Sequence, residues 1–415
     1  MIKNIEQILQ EKSVERSYYR DQIQKRLWTT LIKVIVGQRR VGKSTLLKQT
    51  IQYLVHNKIF SKNQIFYINC ENPQYNSLND YTDLNKILLP FIEKNGWKVF
   101  IWIDEIQRIK SWEKSINGIQ SLYPKCEIFI TWSNSDLLSG ELATYLSGRY
   151  IEIQVFPLSY SEFLLFSQNE HSPDVFNEFL TYWWLPGIFS LRYERENIFE
   201  YEKSVYNTVV LKYIFSRWKI NNPYFFEVLY KYIFANVWHV FTAKNITDYL
   251  KSQKLKISLD TVLNYLSYGE FAYIISKVKA QDLHTKKQFS IYNKYYIWDI
   301  GIRNAIVGYY PERDIGWILE NYVFLLLKKH HYTIQIWRFW NGKEVDFVAE
   351  KNWEIKYFQV ATTILDDTTR EREYSALEMI HDSREKYVVT MDYIDFWKSE
   401  TGINHIKIYE LENVL

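Results

Sequence analysis

Lys33-Val34-Ile35-Val36 runs directly into Gly37-Gln38-Arg39-Arg40-Val41-Gly42-Lys43-Ser44, and Thr45 to Tyr53 then carries a helical spacing of apolar residues. An apolar run, a turn bounded by glycines and an amphipathic helix read as strand, loop and helix in that order. The octet from Gly37 to Ser44 fits G-x-x-x-x-G-K-[ST]. Its glycines let backbone N–H groups turn inward around an anion, and the helix start adds partial positive charge. This spacing points to a nucleoside triphosphate, read here as ATP with Mg²⁺. The binding set is Gly37, Gln38, Arg39, Arg40, Val41, Gly42, Lys43, Ser44 and Thr45. Lys43 is the expected contact of the β- and γ-phosphates, and the Ser44 hydroxyl an expected metal ligand.

Three further short apolar runs follow, Ile65–Ile68, Val99–Ile103 and Ile128–Thr131. Their length and lack of polar alternation suit strands buried on both faces, which predicts an α/β fold with a mostly parallel sheet. The third strand in chain order ends in Asp104-Glu105. Carboxylates at the C-terminal edge of such a strand lie beside the phosphate loop. Asp104 is expected to hold the metal through water, and Glu105 to orient or activate the attacking water. A solvated acidic turn is the bland alternative. The next strand ends Thr131-Trp132-Ser133-Asn134. Ser133 and Asn134 are candidates for sensing the γ-phosphate, or else they cap a helix. Arg149 is a candidate for neutralising transition-state charge, within the chain or across a subunit interface, or else an ordinary surface arginine.

Composition sets bounds. The chain has 415 residues, 47% hydrophobic and 24% charged, with net charge +3. That suits two to three globular domains and by itself neither favours nor disfavours nucleic acid. Two cysteines, Cys70 and Cys126, cannot form a disulfide framework, so a cytoplasmic location is expected. No apolar run approaches the ~20 residues of a membrane span, and Met1 to Lys12 does not read as a signal peptide.

The ordered set Gly37–Ser44, Ile103-Asp104-Glu105-Ile106-Gln107 with Trp112, Leu146–Tyr150 and Pro157–Phe163 resembles the prokaryotic AAA-type ATPases that carry a C-terminal domain of unknown function. The resemblance covers nearly the whole chain. It implies an ATPase domain (1–165), a helical linker (166–222), a winged-helix-like region (223–310) and an α/β nuclease-like domain (311–415). Phe241–Ile246 and Ser258–Leu266 read as two short helices, followed by a hairpin, Ala272–Lys279 with Gln288–Tyr292. Such a module contacts DNA or serves protein packing; Lys251, Lys254 and Lys256 are its basic residues. In the last domain Glu320 and Asp346 match the acidic positions of a nuclease fold. Gln359 stands where a second acid belongs and Ala361 where a lysine belongs. A neutral amide is a weak Mg²⁺ ligand, so no cleavage is expected. Glu354 and Lys356 offer an alternative register. The expected activity is an ATP-driven conformational switch with a protein partner, oligomeric or not; the alternative is a DNA-associated ATPase of defence or mobile elements.

Glycine is scarce, at 13 residues, and tryptophan abundant, at 15. Together they approach the average glycine content of about 7%. Trp132, Trp183, Trp184, Trp238 and Trp337 stand where the family has glycine, with Trp298, Trp317, Trp340 and Trp353 as further candidates; Trp112 matches the family. These positions are read as UGA codons that encode glycine and have been translated as tryptophan. The alternative is genuine aromatic substitution.

Overall fold

The computed structural model describes residues 2–132, 144–182, 185–191, 195–218, 220, 222–237, 239, 241–255, 257–282, 288–394, 399 and 401–415. The chain divides into two compact units, 1–156 and 157–415.

The first unit is built on five parallel strands: β1 (Ile32–Gly37), β2 (Ile65–Asn69), β3 (Phe100–Asp104), β4 (Glu127–Trp132) and β5 (Tyr150–Val155). Their order across the sheet is β2-β3-β4-β1-β5. Every residue of β1, β3 and β4 is buried, the apolar ones as strands covered on both faces require and Lys33 and Glu127 as an ion pair at 2.6 Å. The edge strand β5 alternates polar and apolar residues, which is why its sequence does not read as a buried strand. The helices are α1 (Ile2–Gln10), α2 (Ser17–Gln24), α3 (Lys43–His56), α4 (Tyr81–Lys94) and α5 (Trp112–Leu122). Leu46, Leu47, Ile51 and Leu54 of α3 share one core with Ile35, Phe100, Trp102 and Phe129 of the sheet and with Ile5, Ile8, Tyr19 and Ile23. This packing fixes the start of α3 against the end of β1.

The second unit joins helices to a seven-stranded mixed sheet. Its strands are β6 (Ile275–Asp282), β7 (Gln288–Ile297), β8 (Thr333–Arg338), β9 (Glu344–Lys351), β10 (Glu354–Val360), β11 (Lys386–Thr390) and β12 (Asn404–Lys407), in the order β12-β11-β10-β9-β8-β6-β7. The expected hairpin is present as antiparallel β6–β7. It is not a free-standing wing, because β6 also pairs in parallel with β8, Ala280 opposite Ile336. A boundary at 310 therefore cuts a continuous sheet. The boundary at 165 falls inside the helix Tyr160–Ser167, which belongs to the second unit. Glu162 of that helix is held by Lys329 at 3.4 Å. Strand pairing between distant segments leaves no local periodicity, so neither break was legible in the sequence.

Among the described residues three tryptophans adopt the left-handed backbone region that favours glycine: Trp28 (φ 66°), Trp97 (φ 65°) and Trp353 (φ 70°). Of these, Trp353 alone is among the glycine candidates of the sequence. Asn352 (φ 52°) and Trp353 are the two residues between β9 and β10, whose ends pair at Lys351 and Glu354. A two-residue hairpin with both φ positive is a type I′ turn, for which Asn-Gly is the strongest preference. Among the described residues, Trp102, Trp132 and Trp337 each have a buried indole N–H with no acceptor, so this feature does not set the candidates apart. Trp183, Trp184 and Trp238 lie outside the described residues.

Candidate functional site

The phosphate loop is set by its glycines. Gly37 has φ 145°, and a Cβ there would stand 2.3 Å from the Val155 carbonyl oxygen. Arg40 (φ 68°) and Gly42 (φ 102°) turn the chain back into α3, which starts at Lys43. Lys43 is 6% exposed and donates to the carbonyl oxygens of Gly37 (2.8 Å) and Gln38 (3.0 Å). Burial pulls its pKa down to about 8, against the opposing charges of Glu105 and Asp104.

The end of β3 faces this lysine. Ser44 Oγ donates to Asp104 Oδ2 at 2.8 Å. The other oxygen of Asp104 accepts from Thr131 Oγ1. The backbone N–H of Glu105 donates to that same Thr131 hydroxyl at 2.9 Å. Burial pushes the Asp104 carboxyl upward; the bond from Thr131 opposes this and the Glu105 charge adds to it. Glu105 is itself in the left-handed region (φ 56°) and accepts from Gln107 Nε2. Glu71 lies between two arginines, 3.0 Å from Arg108 and 3.7 Å from Arg39.

Lys43, Ser44, Asp104 and Glu105 are thus brought together. The donor set fits Mg²⁺: a hydroxyl and a carboxylate, hard oxygen ligands, already adjacent at a helix start that favours anions. Thr131 belongs to the same group; the sequence alone does not mark it, because its place depends on β4 lying beside β3. Ser133 and Asn134 lie outside the described residues. Arg149 is not beside the loop. Its carbonyl accepts from the N–H of Ile32, at the opposite end of β1 from Gly37. At ~3.3 Å per residue that places it about 17 Å away along the strand. Its exposed side chain does not reach the phosphate position of its own chain.

In the second unit Glu320, Asp346, Gln359 and Ala361 line one open cavity of ≈ 810 Å³. Gln359 Nε2 donates to Glu373 Oε2 at 2.7 Å, and Asp346 Oδ2 accepts from the Val360 N–H at 2.8 Å. Lys294 reaches the acids, 2.6 Å from Glu320 and 3.2 Å from Glu344. Among the described residues no group of three or more His, Cys, Asp or Glu is placed to hold a metal. The alternative register fails on direction: Lys356 pairs with Glu385 at 3.0 Å, and neither it nor Glu354 lines the cavity. No helix among the described residues is long and apolar enough to cross a membrane.

Residues 29–164 match the model of a family described as an AAA domain. An uncharacterized protein of Haemophilus influenzae is 32% identical over 404 residues, which cover 95% of this chain and 96% of that one. An uncharacterized protein of Methanocaldococcus jannaschii is 30% identical over 401 residues, covering 91% and 84%. Among solved structures, an Aeropyrum pernix ORC1 protein in complex with DNA matches with TM-score 0.34 and 11% identity, covering 74% of this chain and 94% of that one. AMPPCP-bound DnaA from Aquifex aeolicus matches with TM-score 0.31 and 12% identity, covering 63% and 89%. Both scores are too low to carry an argument. The chain belongs to the family of the Haemophilus protein, and its first unit is an AAA-type P-loop domain.

Proposed function

We propose that this AAA-domain protein binds ATP with Mg²⁺, hydrolyses it, and uses the turnover to drive a conformational change in residues 157–415. The observation that supports the reading most is the unbroken line Ser44–Asp104–Thr131–Glu105 facing Lys43. On binding, Lys43 exchanges the carbonyls of Gly37 and Gln38 for phosphate oxygens, whose negative charge favours its protonated form. Ser44 and Asp104 would hold Mg²⁺, which would supply charge neutralisation for the phosphates. Glu105, carried by the Thr131 hydroxyl through its backbone, orients the attacking water and takes its proton. Arg149 acts from a neighbouring copy of the chain, since its own site is too far along β1.

The test is a pair of variants of the full chain. Lys43→Ala is expected to lose nucleotide binding, and Glu105→Gln to keep binding and lose turnover. Turnover at the parental rate in both removes the assignment.

A second reading, ATP-dependent DNA association, draws on the exposed Lys244, Lys251 and Lys254 in and after the helix Ala243–Ser252, which precedes the helix Leu259–Phe271 and the β6–β7 hairpin. Binding that weakens steeply with salt supports it, and millimolar affinity at low salt removes it. DNA is expected to stay intact in either case, because Gln359 and Ala361 replace an acid and a lysine.

A further inference from the structure

We propose that Arg16 transmits the state of the phosphate loop to the junction between the two units, acting as a positioning residue and not a catalytic one. This rests on nucleotide binding at Gly37–Ser44, as read above.

Arg16 stands immediately before α2 and is 4% exposed. Its guanidinium donates to the Val41 carbonyl at 3.1 Å and to the Phe156 carbonyl at 2.9 Å. Val41 lies in the phosphate loop, between the left-handed Arg40 and Gly42. Phe156 is the last residue of the first unit, and the chain passes from it into the second unit at Pro157. One rigid, buried side chain therefore holds the loop and the exit of the domain together.

Two further contacts bind the same exit. The Phe156 N–H donates to Tyr19 Oη at 2.8 Å, and the Arg16 guanidinium lies 4.5 Å over the Tyr19 ring. The Val155 carbonyl closes on Gly37, where no Cβ fits. Val155 and Phe156 are thus clasped to the loop by Gly37 and Arg16, with Tyr19 holding Phe156 and packing on the guanidinium. A planar guanidinium that forks between two carbonyls has little freedom to keep both bonds if one carbonyl moves. Phosphate entry requires the loop N–H groups to turn inward, which moves the Val41 peptide. In a buried site no water replaces a lost bond, so the displacement passes to Phe156.

The experiment is hydrogen–deuterium exchange of the full chain, with and without Mg²⁺ and a non-hydrolysable ATP analogue. In the parent, nucleotide is expected to change exchange in peptides spanning 154–160 by about tenfold, the equivalent of one charge-assisted hydrogen bond. Arg16→Met is expected to retain nucleotide protection of residues 37–45 while losing the change at 154–160. Tyr19→Phe, a milder variant, is expected to reduce the change at 154–160 with the loop still protected. The proposal is overturned if Arg16→Met and Tyr19→Phe both keep the full nucleotide-dependent change, or if the parent protects 37–45 and shows none at 154–160. Absence of protection at 37–45 in the parent removes nucleotide binding itself, and this coupling with it.

Discussion

Ser44 and Asp104, sixty residues apart in the chain, are joined by a 2.8 Å hydrogen bond that ties the first turn of α3 to the end of β3. The bond shows the hydroxyl and the carboxylate already at metal-sharing separation, with Asp104 shielded from water. What keeps Asp104 in place is Thr131 on the neighbouring strand.

Thr131→Val should therefore separate binding from turnover. The change keeps the shape and removes the hydroxyl that serves both Asp104 and the N–H of Glu105. Losing that buried bond costs about 1–3 kcal/mol. Turnover is expected to fall by about ten- to a hundredfold, the equivalent of that cost on a misaligned Glu105. Affinity for the nucleotide without Mg²⁺ should change little, because Lys43 and the loop are untouched. Paired kcat and Kd measurements check it, and equal losses in both would contradict it.

Lys43 makes nucleotide affinity pH-dependent. Its pKa is lowered to about 8 by burial, and phosphate binding favours its protonated form. Below pH 8 the ammonium is already charged; above it, binding must take up a proton. Affinity is thus expected to fall as pH rises through about 8, with proton uptake measurable in buffers of different ionisation heat. For folding, the sign is opposite. The unfolded lysine binds more protons between about 8 and its ordinary 10.5, so the nucleotide-free domain gains stability as pH rises through that window. Lys43→Arg should remove both effects.

The phosphate loop and the Asp104-Glu105 pair were legible because each depends on local order: a motif between strand and helix, and acids at a strand end. Thr131 was not, because its role comes from β3 and β4 lying side by side, Ile103 opposite Ile130. Arg149 was legible as a charge near a glycine and not as to place, since only the register of β1 with β5 puts it at the far end. Arg16 has no local signature at all; its two acceptors are 25 and 140 residues away. In the second unit the sequence identified Glu320, Asp346 and Gln359, but Lys294 comes from β7, beyond any motif that contains them.

Lys294→Met tests how that acidic cavity is held. Lys294 is almost wholly buried and bonded to Glu320 and Glu344, and its pKa is held upward by their charges against burial. Without it the nearby carboxylates face one another, and Asp346 is already pushed upward by burial and by Glu320. Breaking a buried pair in this way costs about 3–5 kcal/mol. Asp346, no longer held down by the Lys294 charge, keeps a proton in the folded state that it releases on unfolding, so the deficit is expected to grow as pH rises from 5 to 8. Urea unfolding of the second unit at the two pH values measures this. A deficit that does not change with pH would show that lost packing dominates.

Trp353→Gly should stabilise the protein, although it deletes the largest side chain. Trp353 is 92% exposed, so the ring contributes little burial. Its φ of 70° is a conformation that costs an L-residue about 1–2 kcal/mol and costs glycine none. The flanking strands impose that conformation through the type I′ turn. A gain of about 1 kcal/mol is therefore expected, seen as a higher midpoint in thermal or urea unfolding. Trp102→Gly is the control. Trp102 is fully buried and stacks on Phe129 at 5.1 Å, so its removal should cost about 3–5 kcal/mol or more. Opposite signs at two tryptophans of one chain are what glycine codons read as tryptophan predict, and the same cause predicts UGA at codon 353 and UGG at codon 102. UGG at 353, or destabilisation by Trp353→Gly, would instead make it a genuine tryptophan held in a strained turn.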